Sequence, residues 1–266
     1  MDQPIRSIAD LLREKGVDKT LEFVKERDSQ IENNNIEDFE EHKKYATRAT
    51  MPLTDLGNAE RLMFEHGSKF RYHVERKKWL FWNGKYWEVD KTNQLKRLAI
   101  DIVKTLEKEL EHVEEQDWNP VLSHIKRSQG SARINAMLNL ADSVLDGYTI
   151  DESRLDTHDF KLNVANGILD LDLLEQHGIC PSVLLEHDRA AYMTKYMDVK
   201  FNPGAKCPIW ERFLETTFMG NKEMIAYIQR TIGYALTGSN KEEVMFILLG
   251  LKGRNGKSVF INTIQS

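Results

Sequence analysis

At 266 residues, 41% hydrophobic and 30% charged, the chain can bury a real core in one to three domains and reads as an ordinary globular protein. No apolar run approaches the ~20 residues of a membrane span, and Met1-Asp2-Gln3-Pro4 does not open a secretion signal, so no membrane partner is expected and the cytoplasm is the default compartment. Cys180 and Cys207 stand far apart, the histidines form no H-E-x-x-H pair, and the net charge is −5, which argues against zinc, redox and bulk electrostatic binding of nucleic acid.

Residues 5–28 carry Ile8, Leu11, Leu12, Leu21 and Val24 near helical spacing, interrupted at Gly16-Val17-Asp18, and predict an amphipathic helix. An Asn- and acid-rich linker over 29–41 follows, then a short helix over 37–48. That helix must stop before Met51-Pro52, because the residue preceding proline is pushed out of the helical region. A domain boundary is expected near residue 52, and another helix over 58–67.

Phe70-Arg71-Tyr72-His73-Val74 and the run from Trp79 to Val89 predict three antiparallel strands. Asn83-Gly84 between two aromatic runs predicts a type I′ hairpin, whose two central residues both need positive φ. The aromatic side chains are expected to face one another as core rather than to stack on bases. Charge is uneven here: residues 67–104 hold ten bases against four acids, whereas residues 1–66 hold fifteen acids against ten bases. Arg71, Arg76, Lys77, Lys78 and Lys85 are therefore candidate contacts to the phosphates of DNA. The same run reads equally as a solvated hairpin face.

A long amphipathic helix is predicted over 92–116 from Leu95, Leu98, Ile102, Val103, Leu106, Leu110 and Val113. A second is predicted over 129–146 from Ile134, Met137, Leu138, Leu140 and Val144. Residues 160–171 read as strand, turn, strand, and two helices are expected over 208–218 and 222–236. The apolar run Val244-Met245-Phe246-Ile247-Leu248-Leu249 then predicts a buried strand opening into Gly250-Leu251-Lys252-Gly253-Arg254-Asn255-Gly256-Lys257-Ser258. That order suits a phosphate: the strand delivers a Gly-rich turn whose N–H groups face the oxygens, and the next helix adds its positive N-terminal end. Gly253, Asn255, Gly256, Lys257 and Ser258 are the candidate nucleotide site, with Lys257 reaching the β/γ phosphates of ATP and Ser258 ligating Mg²⁺. The spacing departs from G-x-x-x-x-G-K-[ST], since Leu251 occupies the place of the first glycine and Gly250 stands one position early. An ordinary strand-to-helix turn with an exposed lysine is the plainer reading.

Taken together, Asp55-Leu56-Gly57-Asn58-Ala59-Glu60-Arg61, the Trp79–Trp87 hairpin, the stretch Leu162–Leu171, Phe201–Trp210 with Phe213-Leu214, Ile232–Gly238 and Gly253–Ser258 resemble the phage and plasmid primase-helicases. In those proteins a poxvirus-type N-terminal region precedes a superfamily 3 helicase domain. The resemblance covers about residues 55–266. It implies an α+β fold, mostly helical with an aromatic antiparallel hairpin, followed by the start of an α/β P-loop domain of AAA+-like kind. Residues 1–54 would be a helical lead-in and acidic linker, 55–205 the helicase-associated N-terminal domain, and 206–266 the incomplete start of the helicase domain.

The function so implied is replication of a mobile element in a bacterial cytoplasm. ATP and Mg²⁺ would bind at the interfaces of a ring, a homo-oligomer and by expectation a hexamer, acting on single-stranded or forked DNA beside a primase module. The acidic strand, polar sensor and arginine finger of such helicases follow the phosphate loop, so no catalytic residue is assigned. The expectation is a chain cut just after that loop that by itself neither hydrolyses ATP nor unwinds DNA, with Phe246, Ile247, Leu248, Phe260 and Ile261 left uncovered. Two other readings stand beside it. Asp170 and Asp172 would share one face of a strand, as a two-metal nucleotidyl-transferring primase needs, or residues 55–235 would be a non-catalytic adaptor gripping DNA or a primase.

Overall fold

The computed structural model describes residues 38–143, 147–250, 253 and 255–265. The helix expected over 5–28, the linker before residue 38, Val144, Leu251, Lys252 and Arg254 lie outside the described residues. The chain is α+β and divides into two compact units. The first joins the residues up to Ser68 with Asn93–Tyr148, and the second joins Lys69–Thr92 with Thr149–Ser266.

The first unit is helical. Helix α1 (38–49) ends ahead of Pro52, and α2 (Asp55–His66) begins where the Thr54 hydroxyl accepts the Gly57 N–H at 3.1 Å. A Cβ at position 57 would stand 1.9 Å from the Pro52 carbonyl, so only glycine lets the chain fold back this tightly. Ala59, Leu62 and Met63 fall on one stripe of α2 and are buried. That helix packs on α3 (Gln94–Lys104), which buries Leu95, Ala99, Ile102 and Val103, and on α5 (Ser131–Ser143), which buries Met137 and Ala141. Each large aliphatic side chain so buried contributes on the order of 1.5–3 kcal/mol.

The single helix expected over 92–116 is not formed. It stops at Lys104, and Leu106–His112 winds as a 3₁₀ segment. At the break, the Thr105 hydroxyl donates back to the Asp101 carbonyl at 2.9 Å and accepts from Arg48 Nη1 at 3.0 Å. The tighter winding then brings Glu109 inward. Arg48 Nε reaches Glu109 Oε1 at 2.8 Å, Arg61 Nη2 reaches Oε2 at 3.0 Å, and Arg48 Nη1 also meets Glu65 at 2.6 Å. The carbonyls of Met51, Pro52 and Ile102 take further guanidinium protons, so both buried arginines are well partnered. A further helix, α4 (Trp118–Ser128), was absent from the predicted elements.

The second unit carries two small sheets. In one, β1 (Phe70–His73), β2 (Lys78–Trp82) and β3 (Trp87–Val89) run antiparallel as expected, and β4 (Thr149–Ile150) adds parallel to β1, giving the order β3-β2-β1-β4. The two-residue type I′ turn does not occur. Trp82 pairs with Trp87 across a four-residue loop, and Asn83 keeps a negative φ while its Oδ1 accepts the N–H groups of Lys85 and Tyr86, each at 3.0 Å. The aromatic residues form core: Trp87 packs with Leu80, Ile150 and Leu155, and its indole N–H donates to the Arg189 carbonyl at 2.9 Å.

The other sheet has the order β5-β6-β7, built from β5 (Lys161–Val164), β6 (Gly167–Asp170) and β7 (Leu184–Leu185). The segment after residue 196 runs beside β5, with Met197 N–H donating to the Asn163 carbonyl and Ala165 N–H to the Val199 carbonyl. Asn166 then grips the backbone of Phe201 with both amide atoms, at 3.0 and 2.9 Å. Short helix α6 (Leu171–His177) follows β6. Farther along, α7 (Pro208–Thr217), α8 (Lys222–Leu236) and α9 (Lys257–Gln265) share a small core of Leu214, Ile228 and Phe260.

The strand expected over 244–249 is absent. Those six residues are exposed and pair with no strand among the described residues, so their backbone finds no ladder to join. Phe246, Ile247, Leu248 and Ile261 are uncovered as expected. Phe260 is not: it is buried and stacks on Trp210 with ring centroids 5.7 Å apart.

Candidate functional site

The five cations proposed for DNA divide by their surroundings. Arg71 on β1 lies 5.4 Å from the Trp87 ring centre and 5.9 Å from that of Tyr192, and its Nη1 donates to the Phe70 carbonyl at 2.6 Å. It is part of the aromatic packing. Arg76 forks onto Glu152, with Nε 3.0 Å from Oε2, and this pair holds the Glu152 carboxyl below its ordinary range. His73, fully buried on β1, sits 2.9 Å from the same carboxylate through Nε2 and accepts the Arg76 N–H through Nδ1.

Lys77 and Lys78, at the turn into β2, are exposed and have no side-chain partner among the described residues. Lys85 donates to the Tyr196 hydroxyl at 3.1 Å, a bond that raises the lysine above its usual value and keeps it charged. Tyr196 stacks on Tyr86 at 4.8 Å. Sequence spacing does not reveal that Tyr192 and Tyr196 hold these cations, because each lies over a hundred residues away from its partner. Arg71 is thus consumed inside the unit, Arg76 is exposed but tied to Glu152, and the exposed cations of the five with no carboxylate partner among the described residues are Lys77, Lys78 and Lys85.

At the candidate phosphate loop, Gly256 has φ +81°, and a Cβ there would meet the Phe213 ring at 3.2 Å. The loop needs glycine at that point for both reasons. Helix α9 opens at Lys257, and the Gly256 carbonyl accepts the Phe260 N–H at 2.9 Å. The Lys257 ammonium turns back to Asn255 Oδ1 at 2.9 Å, and a Cβ at Gly250 would lie 2.7 Å from Lys257 Nζ. Lys257 is therefore folded against its own loop. Gly253 and Ser258 are exposed. A turn that ends in the first residue of a helix, with a lysine at that end, has N–H donors that could meet phosphate oxygens, and the Ser258 hydroxyl oxygen is the atom that could ligate a magnesium ion.

The carboxylate pair required for priming is not assembled. Asp170 closes β6, and its Oδ1 accepts the N–H groups of Asp172 and Leu173, each at 3.1 Å, so that it caps α6. Asp172 belongs to that helix rather than to the strand, and the alternation argument fails at this step. Among the described residues no group of three or more His, Cys, Asp or Glu side chains is arranged to hold a metal ion.

Four residues of the stretch after Thr54 have a specific place in the fold. Asp55 takes Arg133 Nη1 at 2.8 Å, Gly57 makes the close approach to Pro52, Asn58 bonds Ser128 and His124, and Arg61 holds Glu109. Among the described residues no helix is long and apolar enough to cross a membrane.

A family model described as D5 N terminal like matches residues 59–219, and so covers most of both units. No curated protein matches the chain.

Proposed function

The chain belongs to the D5 N-terminal-like family, the N-terminal region of D5 primase-helicase-like proteins, and from that premise we propose that it serves as the front portion of a DNA-replication primase-helicase. The observation that carries the proposal is the family match over 59–219, with the loop from Gly253 to Ser258 lying beyond it in chain order. In this reading the loop binds ATP, Lys257 leaves Asn255 to meet the β/γ phosphates, and Ser258 ligates Mg²⁺. The positive end of α9 supplies further stabilisation of the phosphate charge. The DNA surface is the face bearing Lys77, Lys78 and Lys85, and ring assembly belongs to the complete helicase. Titrating a fluorescent ATP analogue with Mg²⁺ tests the nucleotide site: Lys257→Ala should weaken binding at least tenfold, and equal binding by both proteins would remove the loop from the proposal.

A second reading is favoured by one specific observation. Val244–Leu249 joins no sheet among the described residues, whereas the first unit has a closed core, so the chain also suits a non-catalytic adaptor that holds DNA or a primase. Single-strand binding that is indifferent to ATP and to Lys257→Ala, and that falls steeply with salt, selects the adaptor.

A further inference from the structure

The first unit contains a cleft of about 220 Å³ lined by Leu53, Thr54, Asp55, His124, Arg127, Ser128 and Arg133, far in sequence from the phosphate loop. Its floor is polar and deeply buried: His124 and Ser128 are 3% and 2% exposed. Behind them lies Asn58, whose Oδ1 is 2.9 Å from His124 Nε2 and whose Nδ2 donates to Ser128 Oγ at 3.0 Å. Burial, helped by Arg61 and Arg127, pushes the His124 imidazole down to about 4, so it is neutral at neutral pH.

Proton bookkeeping then identifies what the floor offers. With the Asn58 amide in its assigned orientation, its oxygen must take the single imidazole proton from Nε2, since a neutral ring bears one N–H. Ser128 Oγ is an acceptor from Asn58, and Nε2, 3.3 Å away, carries a hydrogen and cannot accept another. The Ser128 hydroxyl proton is left without an acceptor among the described residues, at the base of an open cleft. Such a buried donor needs a partner.

The walls indicate the partner's charge. Arg133 gives one arm to Asp55 at 2.8 Å, and Arg127 is exposed with no carboxylate partner among the described residues. Two guanidinium groups against one carboxylate leave a positive cleft, and a guanidinium fork matches the paired oxygens of a phosphate.

We propose that this cleft is a second, independent anion site that receives one phosphate group, with Arg127 and Arg133 at its walls and the Ser128 hydroxyl at its floor. Its volume of about 220 Å³ admits a phosphate group. The phosphate comes either from the backbone of single-stranded DNA or from a free phosphate compound. The site stands whether or not the Gly253–Ser258 loop binds ATP.

The test measures binding of a fluorescent oligothymidylate, of ATP and of inorganic phosphate to the 266-residue chain and to its Arg127→Ala, Arg127→Lys and Lys257→Ala variants. Arg127 is exposed and bonds nothing in the core, so its variants should keep the wild-type melting temperature. If the backbone is the source, Arg127→Ala weakens oligonucleotide binding about tenfold, flattens the dependence of log K on log salt by roughly 0.7, and Arg127→Lys recovers part of the loss. If a free phosphate is the source, Arg127→Ala weakens phosphate and ATP binding while the oligonucleotide is unaffected. Binding of all three probes unchanged by Arg127→Ala overturns the proposal. So does loss of all anion binding through Lys257→Ala alone, which leaves the nucleotide reading intact.

Discussion

Glu109 is the residue on which the helical unit depends most, since it compensates two guanidinium groups that are both removed from water. Glu109→Gln leaves Glu65 as the one carboxylate on Arg48 and leaves Arg61 with no carboxylate among the described residues. The expected cost is about 3–5 kcal/mol, read as a drop in the urea midpoint with an unchanged slope. A loss under 1 kcal/mol would show that the arginines relax to solvent. His124 makes a second residue-scale prediction through its pKa. The folded value of about 4 lies below the unfolded value near 6.5, so between these pH values the unfolded chain binds more protons and stability falls as pH falls. The loss from this one group is at most about 3 kcal/mol and levels off only below pH 4, once the folded imidazole is protonated too. His124→Gln should flatten the acid limb of the stability curve over that interval, and an unchanged limb would assign acid sensitivity elsewhere.

At the scale of elements, Asp170 separates a structural role from a chemical one. Asp170→Asn keeps an oxygen that can accept the two N–H groups at the start of α6 and should cost only a few tenths of a kcal/mol, whereas Asp170→Ala should cost about 1 kcal/mol. A large loss of primer synthesis in Asp170→Asn with unaltered stability would revive the carboxylate reading. The elements also show what the residue pattern reveals. Ala59, Leu62 and Met63 at helical spacing, and the aromatic runs around Asn83, mark α2 and the three strands without knowledge of their partners. The break of α3 at Thr105 could not be read that way, because its cause is Arg48, more than fifty residues earlier, meeting Thr105 and Glu109. Helix α4 hides because Trp118 and Leu122 are exposed and only Val121 contributes an apolar core side chain. For the candidate site, the glycines and Lys257 are legible as a motif. The diversion of Arg71 to Tyr192 and of Arg76 to Glu152 is long-range and leaves no local trace.

For the whole molecule, the division of cations forecasts how binding and stability should separate. The double change Lys77→Ala with Lys78→Ala should leave the melting temperature unaltered and reduce the salt slope of single-strand binding by roughly 1.4. Arg71→Ala should do the reverse, lowering thermal stability through lost packing on Trp87 and Tyr192 with little change in slope. Equal effects of the two changes on binding would restore Arg71 to the DNA surface. Chain order and spatial order also disagree. The hairpin Lys69–Thr92 leaves the helical unit and the chain then returns to it, while the parallel partner of β1, Thr149–Ile150, comes only after that unit is complete. On a ribosome adding about 5–20 residues per second, β1 is made on the order of 4–15 s before β4 can reach its edge. The helical unit can therefore close before the sheet is finished, so the emerging chain should acquire protease resistance in two steps, helices before hairpin.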